Sequence, residues 1–344
     1  MRNVDYLIVG SGYAAIFLAH QLIRNKKSFL LFSDGNKSAS QVSAGIINPV
    51  VLKKFTTFWL AQEQIDFLKS TLSEIAEYTS ENYLIEENIH RIFHDEKERE
   101  LWLKKAALPE LEAFLDTDFA ELNTVNNPFG SGKVKQSARL NVAAFFDGMN
   151  SYLRENDYLV QESFNYAELQ GNSYRDISFK AVVFCEGMGV TENPFFKEIP
   201  VNPNKGHHLT VKLSEQPAER FTLKKKHFLF PLNSESFYYG GTYDRFQLHD
   251  KIDDSAKEGL MKGLEEFYPF PYEIEEINFG FRPTVSDRRP ILGSHKDFSQ
   301  YYVFNGLGAR GILNGCYFSR ELFEHIENGK PLHPEVDLKR FTDS

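Results

Sequence analysis

The sequence predicts an α/β protein with two parts, one built on a parallel sheet and one α+β part with an antiparallel sheet. The first observation is a strand–helix–strand pattern at the start of the chain, where apolar runs over Val4–Val9 and Ser28–Phe32 flank a segment of helical spacing. Consecutive strands joined by a helix pair in parallel with a right-handed crossover. The second observation is alternation of apolar and polar residues over Pro200–Phe246, which is typical of antiparallel strands.

Length and composition fit a folded chain. The 344 residues correspond to about two domains, at roughly 150 residues each. With 42% hydrophobic and 25% charged residues, disordered, fibrous and coiled-coil classes are excluded. The 48 acidic residues outnumber the 39 basic ones, which gives a net charge of -9 and no overall attraction for phosphate backbones. The one compact basic run, Lys224–Lys226, is interpreted as a solvated hairpin turn, so a nucleic-acid partner is not expected.

Cysteine content and hydropathy favour a cytoplasmic protein. Cys185 and Cys316 are the only cysteines, too few for a disulfide framework and without metal-ligand spacing, so no metal is expected. No apolar run reaches about 18 residues, so no membrane span is expected. The apolar stretch Tyr6–Leu22 is superficially like a signal peptide, but it contains a patterned glycine turn and Asp5 precedes it.

Periodicity places further elements along the chain. The stretch Phe58–Arg99 is interpreted as largely helical because its apolar residues form one stripe. The remaining predictions are a helix at Val142–Leu153, strands within Tyr158–Phe184, a helix at Ser255–Phe267, a strand at Tyr301–Asn305 and a helix around Ile312–Glu327.

The first turn carries a dinucleotide-binding fingerprint, Gly10-Ser11-Gly12-Tyr13-Ala14-Ala15. Gly10 permits the tight turn from strand to helix, Gly12 lets the backbone approach a pyrophosphate, and the small Ala15 lets helix and strand pack closely. The helix N-terminus then offers amide donors and a positive dipole to the phosphates. The context of strand, glycine turn, helix and second strand is the one that this motif requires, and predicts a Rossmann-like domain.

The acidic residue that should bind the adenosine ribose is less regular. Ser33 stands at the end of the second strand, where a glutamate is expected, and Asp34 follows it. Either Asp34 binds the ribose with a shift of one residue, or Ser33 makes a single hydrogen bond.

The fingerprint alone does not separate a flavin from a nicotinamide cofactor, and the C-terminal region supplies the distinction. The segment Phe279-Gly280-Phe281-Arg282-Pro283, followed by Asp287 and Pro290–Gly293, resembles the "G-x-R-P … D-x-x-P-x-x-G" section of the D-amino-acid oxidase superfamily of flavoproteins. Asn305–Ile312 resembles the family's glycine-rich loop, whose amides and helix N-terminus face the flavin ring and stabilise negative charge there. The residues of this loop expected at the flavin are Gly306, Gly308, Ala309, Arg310, Gly311 and Ile312.

Internal segments extend the resemblance in order over nearly the whole chain. The small-residue loop expected along the ribityl chain and the flavin ring includes Ser40, Ser43, Ala44, Gly45 and Ile46. Val182–Gly187 resembles the strand-to-glycine turn near the adenine, where Phe164 and Gly187 are candidate contacts. Tyr239–Thr242 resembles the substrate-domain strand over the flavin. No cysteine lies near Arg282, where family members with covalent flavin carry one, so the resemblance implies non-covalent FAD.

The resemblance also implies candidate catalytic residues. Arg282 matches the family arginine that clamps a substrate carboxylate, although it is also able to pair with Asp287 or a helix end. Tyr243 follows the strand expected over the flavin and either lines the substrate pocket or packs on the surface. His207 is a third candidate, from its position beside Lys205-Gly206 and not from the resemblance, and it is expected to line the substrate side. His207 and His208 are adjacent on a strand, so their side chains point to opposite faces and a shared metal is not expected. Phe228 stands where some amino-acid oxidases of the family have tyrosine.

These observations predict a discontinuous two-domain flavoprotein. The FAD-binding domain is expected at 1–50, 130–200 and 280–344, and the substrate domain at 51–129 and 201–279. The expected function is oxidation of the C–N bond of a small amine or amino acid by hydride transfer to flavin N5, with oxygen or another acceptor. One alternative is oxidation of a modified tRNA wobble uridine, because Ala44–Pro49 and Gly308–Gly311 are similar to the FAD domain of the bifunctional enzymes that modify it. The other alternative is a flavin-binding protein without turnover.

Overall fold

The computed structural model describes residues 2–217 and 221–341. Seven α-helices are found in this part of the chain: Tyr13–Arg24 (α1), Ala61–Thr79 (α2), Glu96–Ala106 (α3), Pro109–Glu112 (α4), Val142–Glu155 (α5), Asp254–Glu265 (α6) and Gly311–Asn328 (α7). Short 3-10 helices lie at Tyr166–Glu168, Gly187–Glu192, Gly308–Arg310 and Leu338–Phe341.

The strands of the described residues are Arg2–Asn3 (β1), Tyr6–Val9 (β2), Phe29–Phe32 (β3), Ile46–Ile47 (β4), Val50–Val51 (β5), Thr56–Thr57 (β6), Leu84–Ile85 (β7), Ile89–Ile92 (β8), Leu115–Ala120 (β9), Ser131–Val134 (β10), Ala138–Leu140 (β11), Leu159–Val160 (β12), Leu169–Gln170 (β13), Ser173–Tyr174 (β14), Ile177–Ser178 (β15), Ala181–Phe184 (β16), Asn202–Leu213 (β17), Thr222–Lys224 (β18), Phe228–Pro231 (β19), Ser236–Gly240 (β20), Tyr272–Thr284 (β21), Ile291–Ser294 (β22) and Tyr301–Asn305 (β23).

A six-stranded sheet forms the first part of the molecule, in the order β12-β3-β2-β16-β23-β22. Its first five strands are parallel, and β22 is antiparallel at the edge. The strand–helix–strand prediction for the start of the chain is therefore confirmed. All four residues of β2, β3 and β16 are buried, as expected for a parallel sheet covered on both faces. Helices α1 and α7 pack together over one face within a single core cluster.

An eight-stranded sheet forms the second part, in the order β21-β17-β20-β19-β18-β8-β10-β9. Its longest pairing is the antiparallel one between β17 and β21, which runs from Asn202↔Thr284 to Leu213↔Tyr272. Strands β17 to β20 confirm the predicted antiparallel sheet, and α6 confirms the predicted helix near 255–267. A small sheet of β1, β15, β14 and β13 and a three-stranded sheet of β4, β11 and β7 complete the main architecture.

The two faces of the eight-stranded sheet differ in chemistry. One face presents Leu209, Val211 and Tyr239, which form a core cluster with Leu260 and Leu264 of α6. Because side chains alternate along a strand, the other face carries the even-numbered residues of β17 and their partners on β21 and β20. That second face is polar and aromatic, and it holds most of the candidate substrate site.

Three features depart from the expectations. Phe58–Arg99 is not largely helical, because the buried segment Ile89–Ile92 forms strand β8 between β10 and β18. Strand β21 was not predicted, since its many glutamates and its Gly and Pro obscure the alternation. Residues 131–134 and 280–284 lie in the eight-stranded sheet and not with the parallel one, so the expected boundaries at 130 and 280 fall inside this sheet. No helix of the described residues is long and apolar enough to cross a membrane.

Candidate active site

The predicted fingerprint lies at the carboxyl end of β2, where the chain turns into α1. Gly10 has φ +122°, and a Cβ at this position would overlap the carbonyl oxygen of Cys185 on the neighbouring strand. Only glycine therefore fits the turn. Gly12 is the N-cap of α1; no side chain caps the helix, and its first turn contains no acidic residue. The amides of the first turn are thus oriented toward the loop side as donors for an anion, while Ala15 is fully buried under the helix.

The small-residue loop at 38–46 folds over this helix N-terminus. Ser40 Oγ accepts a hydrogen bond from the Tyr13 amide at 3.1 Å, and Ser43 Oγ lies 2.8 Å from the Tyr13 hydroxyl. A Cβ at Gly12 would lie 3.0 Å from Ser40 Oγ and 3.8 Å from Ser38 Oγ. The Ser38 hydroxyl is buried and has no hydrogen-bond partner within the described ranges. An unpaired hydroxyl next to the start of α1, where only the Tyr13 amide is bound by a side chain, is the polar lining that a phosphate group needs.

Gly45 in the same loop is required by the backbone, and its contact with the cofactor stays a prediction. Gly45 is buried with φ +68°, and a Cβ there would overlap the carbonyl oxygen of Leu140. Its glycine is explained by this backbone contact. Ala44 and Ile46 flank it and are half-buried, with Ile46 in strand β4.

Ser33 and Asp34 follow the carboxyl end of β3. Ser33 is half-buried, and its Oγ accepts a hydrogen bond from the Gly35 amide at 3.3 Å. Asp34 is exposed, and its carboxylate accepts hydrogen bonds from the backbone amide and the side chain of Asn36. Both residues border the edge at which a ribose is expected, and the contact remains a prediction for either one.

Phe164 and Gly187 lie at the same edge of the parallel sheet. The Phe164 ring packs edge-on against Phe32 at 5.4 Å and Phe184 at 6.0 Å, the terminal residues of β3 and β16. Gly187 has φ +56°, and its carbonyl oxygen accepts a hydrogen bond from Asn305 Nδ2 at 2.8 Å. The candidate adenine contacts are therefore adjacent to the turns that carry the other cofactor candidates.

The predicted C-terminal glycine loop joins β23 to α7. Gly306 has φ +72° and is packed so that a Cβ would lie 2.6 Å from Val285 Cγ2. Gly308 has φ +58° and only Thr284 Cγ2 at 4.0 Å, so the space beside it is open. Ala309 is exposed and Ile312 is buried. Like α1, helix α7 has no side-chain cap and no acidic residue in its first turn.

The two uncapped helix N-termini lie side by side. A Cβ at Gly311, the first residue of α7, would lie 2.9 Å from Cδ2 of Tyr13, the first residue of α1. Gly315, one turn further, is similarly close to Tyr13 Cβ at 3.2 Å. Close packing of α7 on α1 therefore depends on these small residues. It places two helix N-termini at one edge of the parallel sheet, which fits an elongated ligand with more than one anionic group.

Arg282 lies on the polar face of the eight-stranded sheet. Its Nη1 donates hydrogen bonds of 3.1 Å to Asn204 Oδ1 and to the carbonyl oxygen of Thr242. A Cβ at Gly206 would overlap the guanidinium, so the side chain lies flat on the backbone at this glycine. The considered partner Asp287 instead binds Arg340 at 2.9 Å. Arg282 has no carboxylate partner within residues 2–217 and 221–341, and is free to bind an anion.

The polar face is turned toward the small-residue loop. A Cβ at Gly280, two residues before Arg282 on β21, would lie 2.8 Å from Val42 Cγ2 and 3.6 Å from Ala39 Cα. Arg282 and the cofactor candidates of the loop are therefore on neighbouring surfaces.

Tyr243 and Arg310 border the same region. The Arg282 guanidinium carbon lies 4.4 Å from the centre of the Tyr243 ring, although Tyr243 is 68% exposed. Tyr243 is thus a largely exposed residue that stacks on Arg282. Arg310 donates a hydrogen bond of 3.2 Å to the Asn48 carbonyl oxygen and stacks on Phe58 at 4.1 Å. Burial lowers the pKa of Arg310 to about 10; Tyr243 raises it and Arg288 lowers it. It therefore stays charged at neutral pH.

The prediction for His207 is wrong in its orientation. His207 is buried on the opposite face of β17 from Arg282, where its Nε2 lies 3.3 Å from the Asp253 carboxylate and Asp253 also binds Lys205 at 3.1 Å. Burial lowers the pKa of His207, and Asp253 opposes that effect. The imidazole anchors the segment before α6 and does not line the substrate side. The expectation that His207 and His208 point to opposite faces is confirmed.

Two residues on the Arg282 face were missed. His208 is 9% exposed and stacks on Tyr238 at 4.5 Å, and Tyr238 stacks on Phe230 at 4.7 Å. Burial lowers the pKa of His208 to about 4, so this imidazole is neutral at neutral pH. The alternation of faces along β17 and β20 is visible in the sequence, because residues two apart on a strand share a face. Which of the two faces also carries Arg282 depends on the register with β21, and the sequence does not show that register.

Comparison with known proteins identifies a matching family. A family model described as FAD dependent oxidoreductase (DAO) matches residues 5–325. A glycine oxidase from Geobacillus kaustophilus has a similar structure, with a TM-score of 0.80, 16% sequence identity and coverage of 99% of this chain and 98% of that chain. At this identity the likeness concerns the fold.

Curated relatives match over part of the chain. A D-amino acid dehydrogenase from Rhodopseudomonas palustris is 23% identical over 151 residues, covering 42% of this chain and 35% of the relative. The tRNA 5-methylaminomethyl-2-thiouridine biosynthesis bifunctional protein from Leptospira borgpetersenii is 25% identical over 224 residues, covering 52% of this chain and 34% of the relative. The matches thus span about a third of the length of these relatives.

Proposed function

Because this chain belongs to the DAO family of FAD-dependent oxidoreductases, we propose that it oxidises the C–N bond of a small amine or amino acid that carries a carboxylate. The observation that carries the proposal is Arg282, a guanidinium without a carboxylate partner in the described part of the chain, on the sheet face next to the small-residue loop. A planar, permanently charged donor group suits bidentate binding of a carboxylate.

The residues of the two glycine turns fit the cofactor. The amides at the start of α1 with the Ser38 and Ser40 hydroxyls would hold the diphosphate, and the amides at the start of α7 would face the ring. Bound FAD supplies the acceptor for the hydride that leaves the carbon bearing the amine. Both described cysteines, Cys185 and Cys316, are buried in the core of the nucleotide-binding part, so the proposal includes non-covalent FAD.

The chain's own contribution is orientation and charge placement. Arg282 fixes the carboxylate, and its hydrogen bonds to Asn204 and Thr242 fix the guanidinium in turn. Arg310 and the N-terminus of α7 place positive charge beside the C-terminal glycine loop. There they would stabilise negative charge on the flavin ring. His208 lies on the same sheet face but is neutral at neutral pH, because burial lowers its pKa to about 4, so it adds no charge beside Arg282. The imine product then hydrolyses in water.

Anaerobic reduction of the purified flavoprotein by a panel of amino acids and secondary amines tests the proposal. A carboxylate-bearing amine is expected to bleach the flavin absorbance of the wild-type protein. Arg282→Gln should keep the flavin and slow bleaching by about a hundredfold, because a charge-assisted bidentate contact is lost. Arg175→Gln is a matched control, since Arg175 pairs on the surface with Glu162 and Glu168. Equal rates for Arg282→Gln and the control would refute the role of Arg282.

Oxidation of a modified tRNA is a second candidate, favoured by the similarity to the Leptospira borgpetersenii protein. Bleaching by modified tRNA but by no free amine would establish it in place of the first proposal. Bleaching by neither would favour a flavin-binding protein without turnover.

Reoxidation of the bleached protein by air, measured alongside, distinguishes oxygen from another acceptor. A cytoplasmic location also remains part of the proposal, and cell fractionation tests it.

A further inference from the structure

The hydroxyl of Tyr239 is buried and unpaired on the α6 side of the eight-stranded sheet. Tyr239 is fully buried in the apolar cluster against α6, and its hydroxyl makes no hydrogen bond within the described ranges. Burial and Glu266 raise its pKa, so the phenol is neutral at neutral pH. A buried hydroxyl without a partner costs free energy, and such a group points to a ligand. This face of the sheet is opposite to Arg282, so the hydroxyl is not part of the candidate substrate site.

The surroundings of this hydroxyl come from α6 and from the hairpin that joins β18 to β19. A Cβ at Gly263 of α6 would lie 2.8 Å from the Tyr239 hydroxyl oxygen, 3.4 Å from His227 Cδ2 and 3.4 Å from Lys226 Cδ. The three side chains therefore meet at one point, which glycine leaves open. Lys226 is exposed, so its flexible side chain is able to move aside and admit a small ligand.

The hairpin contains the basic run Lys224–Lys226, whose backbone is held by cations. Lys224 Nζ donates a hydrogen bond of 2.6 Å to the Lys226 carbonyl oxygen, and Arg91 Nη1 donates one to the carbonyl oxygen of Lys225. Lys224 and Lys225 are half-buried, so only Lys226 is a fully solvated part of the turn. Lys226 has no carboxylate partner in the part of the chain that the structure describes. Its ammonium group is therefore available for an anion.

His227 supplies a hydrogen-bond acceptor beside the two donors. Its Nδ1 lies 3.1 Å from the Gly241 carbonyl oxygen, so Nδ1 carries the ring proton. Burial and Lys224 lower the pKa of His227 to about 4, and the contact with Gly241 opposes the shift, so the ring is neutral at neutral pH. Nε2, which is bonded to Cδ2, therefore accepts a hydrogen bond, while the Tyr239 hydroxyl and the Lys226 ammonium donate.

From this arrangement we propose that Tyr239, His227 and Lys226 form a binding site for hydrogen phosphate, separate from the substrate and cofactor sites. The P–O–H group of hydrogen phosphate donates to His227 Nε2, and its charged oxygens accept from Tyr239 and Lys226. Sulfate has a similar shape but carries no proton at neutral pH, so one of its oxygens would face the lone pair of Nε2. The site therefore selects phosphate over sulfate. This inference does not depend on the proposed function.

Calorimetric titration of the FAD-saturated protein with inorganic phosphate and with sulfate tests the site. We expect one phosphate per chain and sulfate binding weaker by about tenfold. Tyr239→Phe should weaken phosphate binding by about tenfold, because a hydrogen bond to a charged group is lost. Tyr238→Phe is the matched control, since it removes a hydroxyl from the adjacent residue on the other face, and should bind phosphate like wild type. Thermal unfolding checks the fold of both variants.

Lys226→Gln is a second variant, which leaves the core intact because Lys226 is exposed. We expect phosphate affinity to fall about fivefold, whereas Lys197→Gln, at another exposed lysine, should have no effect. The assignment would be overturned if wild type bound no phosphate or bound sulfate equally well. Losses in Tyr239→Phe and Lys226→Gln no larger than in their controls would also overturn it. Arg282→Gln should leave phosphate binding unchanged; a loss confined to that variant would place the anion on the opposite face.

Discussion

Gly311 lies against Tyr13, so the first residue of the last long helix touches the first residue of the first one. A Cβ at Gly311 would lie 2.9 Å from Tyr13 Cδ2. Nearly three hundred residues separate the two turns along the chain, but both follow parallel neighbouring strands, β2 through β16 to β23. The contact brings together the two helix N-termini that would hold the diphosphate and the ring of one flavin.

Gly311→Ala tests that contact. We expect reduced FAD occupancy, because the added methyl group pushes the start of α7 away from Tyr13. Flavin content per protein, measured after purification and after dialysis, is the readout. Gly259→Ala is the control, since Gly259 lies in α6 with nothing within 4 Å of its Cβ position. That change should keep FAD and raise stability by up to about 1 kcal/mol. Similar FAD loss in both variants would argue against the contact.

Gly206→Ala should separate cofactor binding from substrate binding. The new methyl group would overlap the Arg282 guanidinium, and the flexible side chain would have to move off the backbone. We expect a folded, yellow protein whose KM for a carboxylate-bearing amine rises about tenfold, because the clamp is misplaced. Steady-state kinetics check this. An unchanged KM would mean that the guanidinium does not bind the substrate from its present position.

Asp253→Asn should destabilise the fold strongly. Lys205 is fully buried, and Asp253 is the carboxylate that pairs with it at 3.1 Å and with His249 at 2.8 Å. Removing one partner leaves a buried charge unpaired, at a cost of about 3 kcal/mol. Urea unfolding measures the loss. Lys205→Met/Asp253→Asn should recover part of it, because the unpaired charge is then gone. A double variant less stable than Asp253→Asn would contradict this explanation.

Acid should weaken the fold through buried imidazoles. His90 is 4% exposed and stacks on Phe221 at 4.1 Å, and burial lowers its pKa from 6.5 to about 4. The unfolded chain therefore binds a proton at this site between pH 6.5 and 4 that the folded chain does not. The stability is present above pH 6.5 and is lost as pH falls through that window. His90→Phe should make the pH dependence of the unfolding free energy shallower there by about one proton. An unchanged slope would show that His90 does not titrate as described.

The sequence predicts features that depend on neighbouring residues better than features that depend on pairing between distant strands. The turns at Gly10, Gly306 and Gly308 were recognisable because a tight turn at a strand end is specified by a few adjacent residues, whereas their contact with the cofactor stays a prediction. Arg282 was singled out through a local motif, and its role at a substrate carboxylate stays a prediction. His207 was expected on the substrate side of the sheet, but it lies on the opposite face from Arg282. Successive side chains of β17 alternate between faces, so the pairing with β21 decides which of them share a face with Arg282.

The missed elements have the same origin. Tyr238 has no motif of its own, and its relation to Arg282 arises only when β20, β17 and β21 are paired. Strand β21 was not predicted because its exposed glutamates and half-buried residues do not give a clear alternation of apolar and polar residues. Strand β8 is stabilised by partners from β10 and β18, far away in the chain, so tertiary pairing overrides the helical pattern around it.

The central claim is that the amides of both glycine turns bind a single FAD molecule. Titration of the flavin-free protein with FAD and with FMN tests it most directly, because FMN lacks the second phosphate and the adenosine that the α1 turn would hold. We predict one FAD per chain and FMN binding weaker by roughly a hundredfold or more. Equal affinity for the two flavins, or no binding of FAD, would contradict the account.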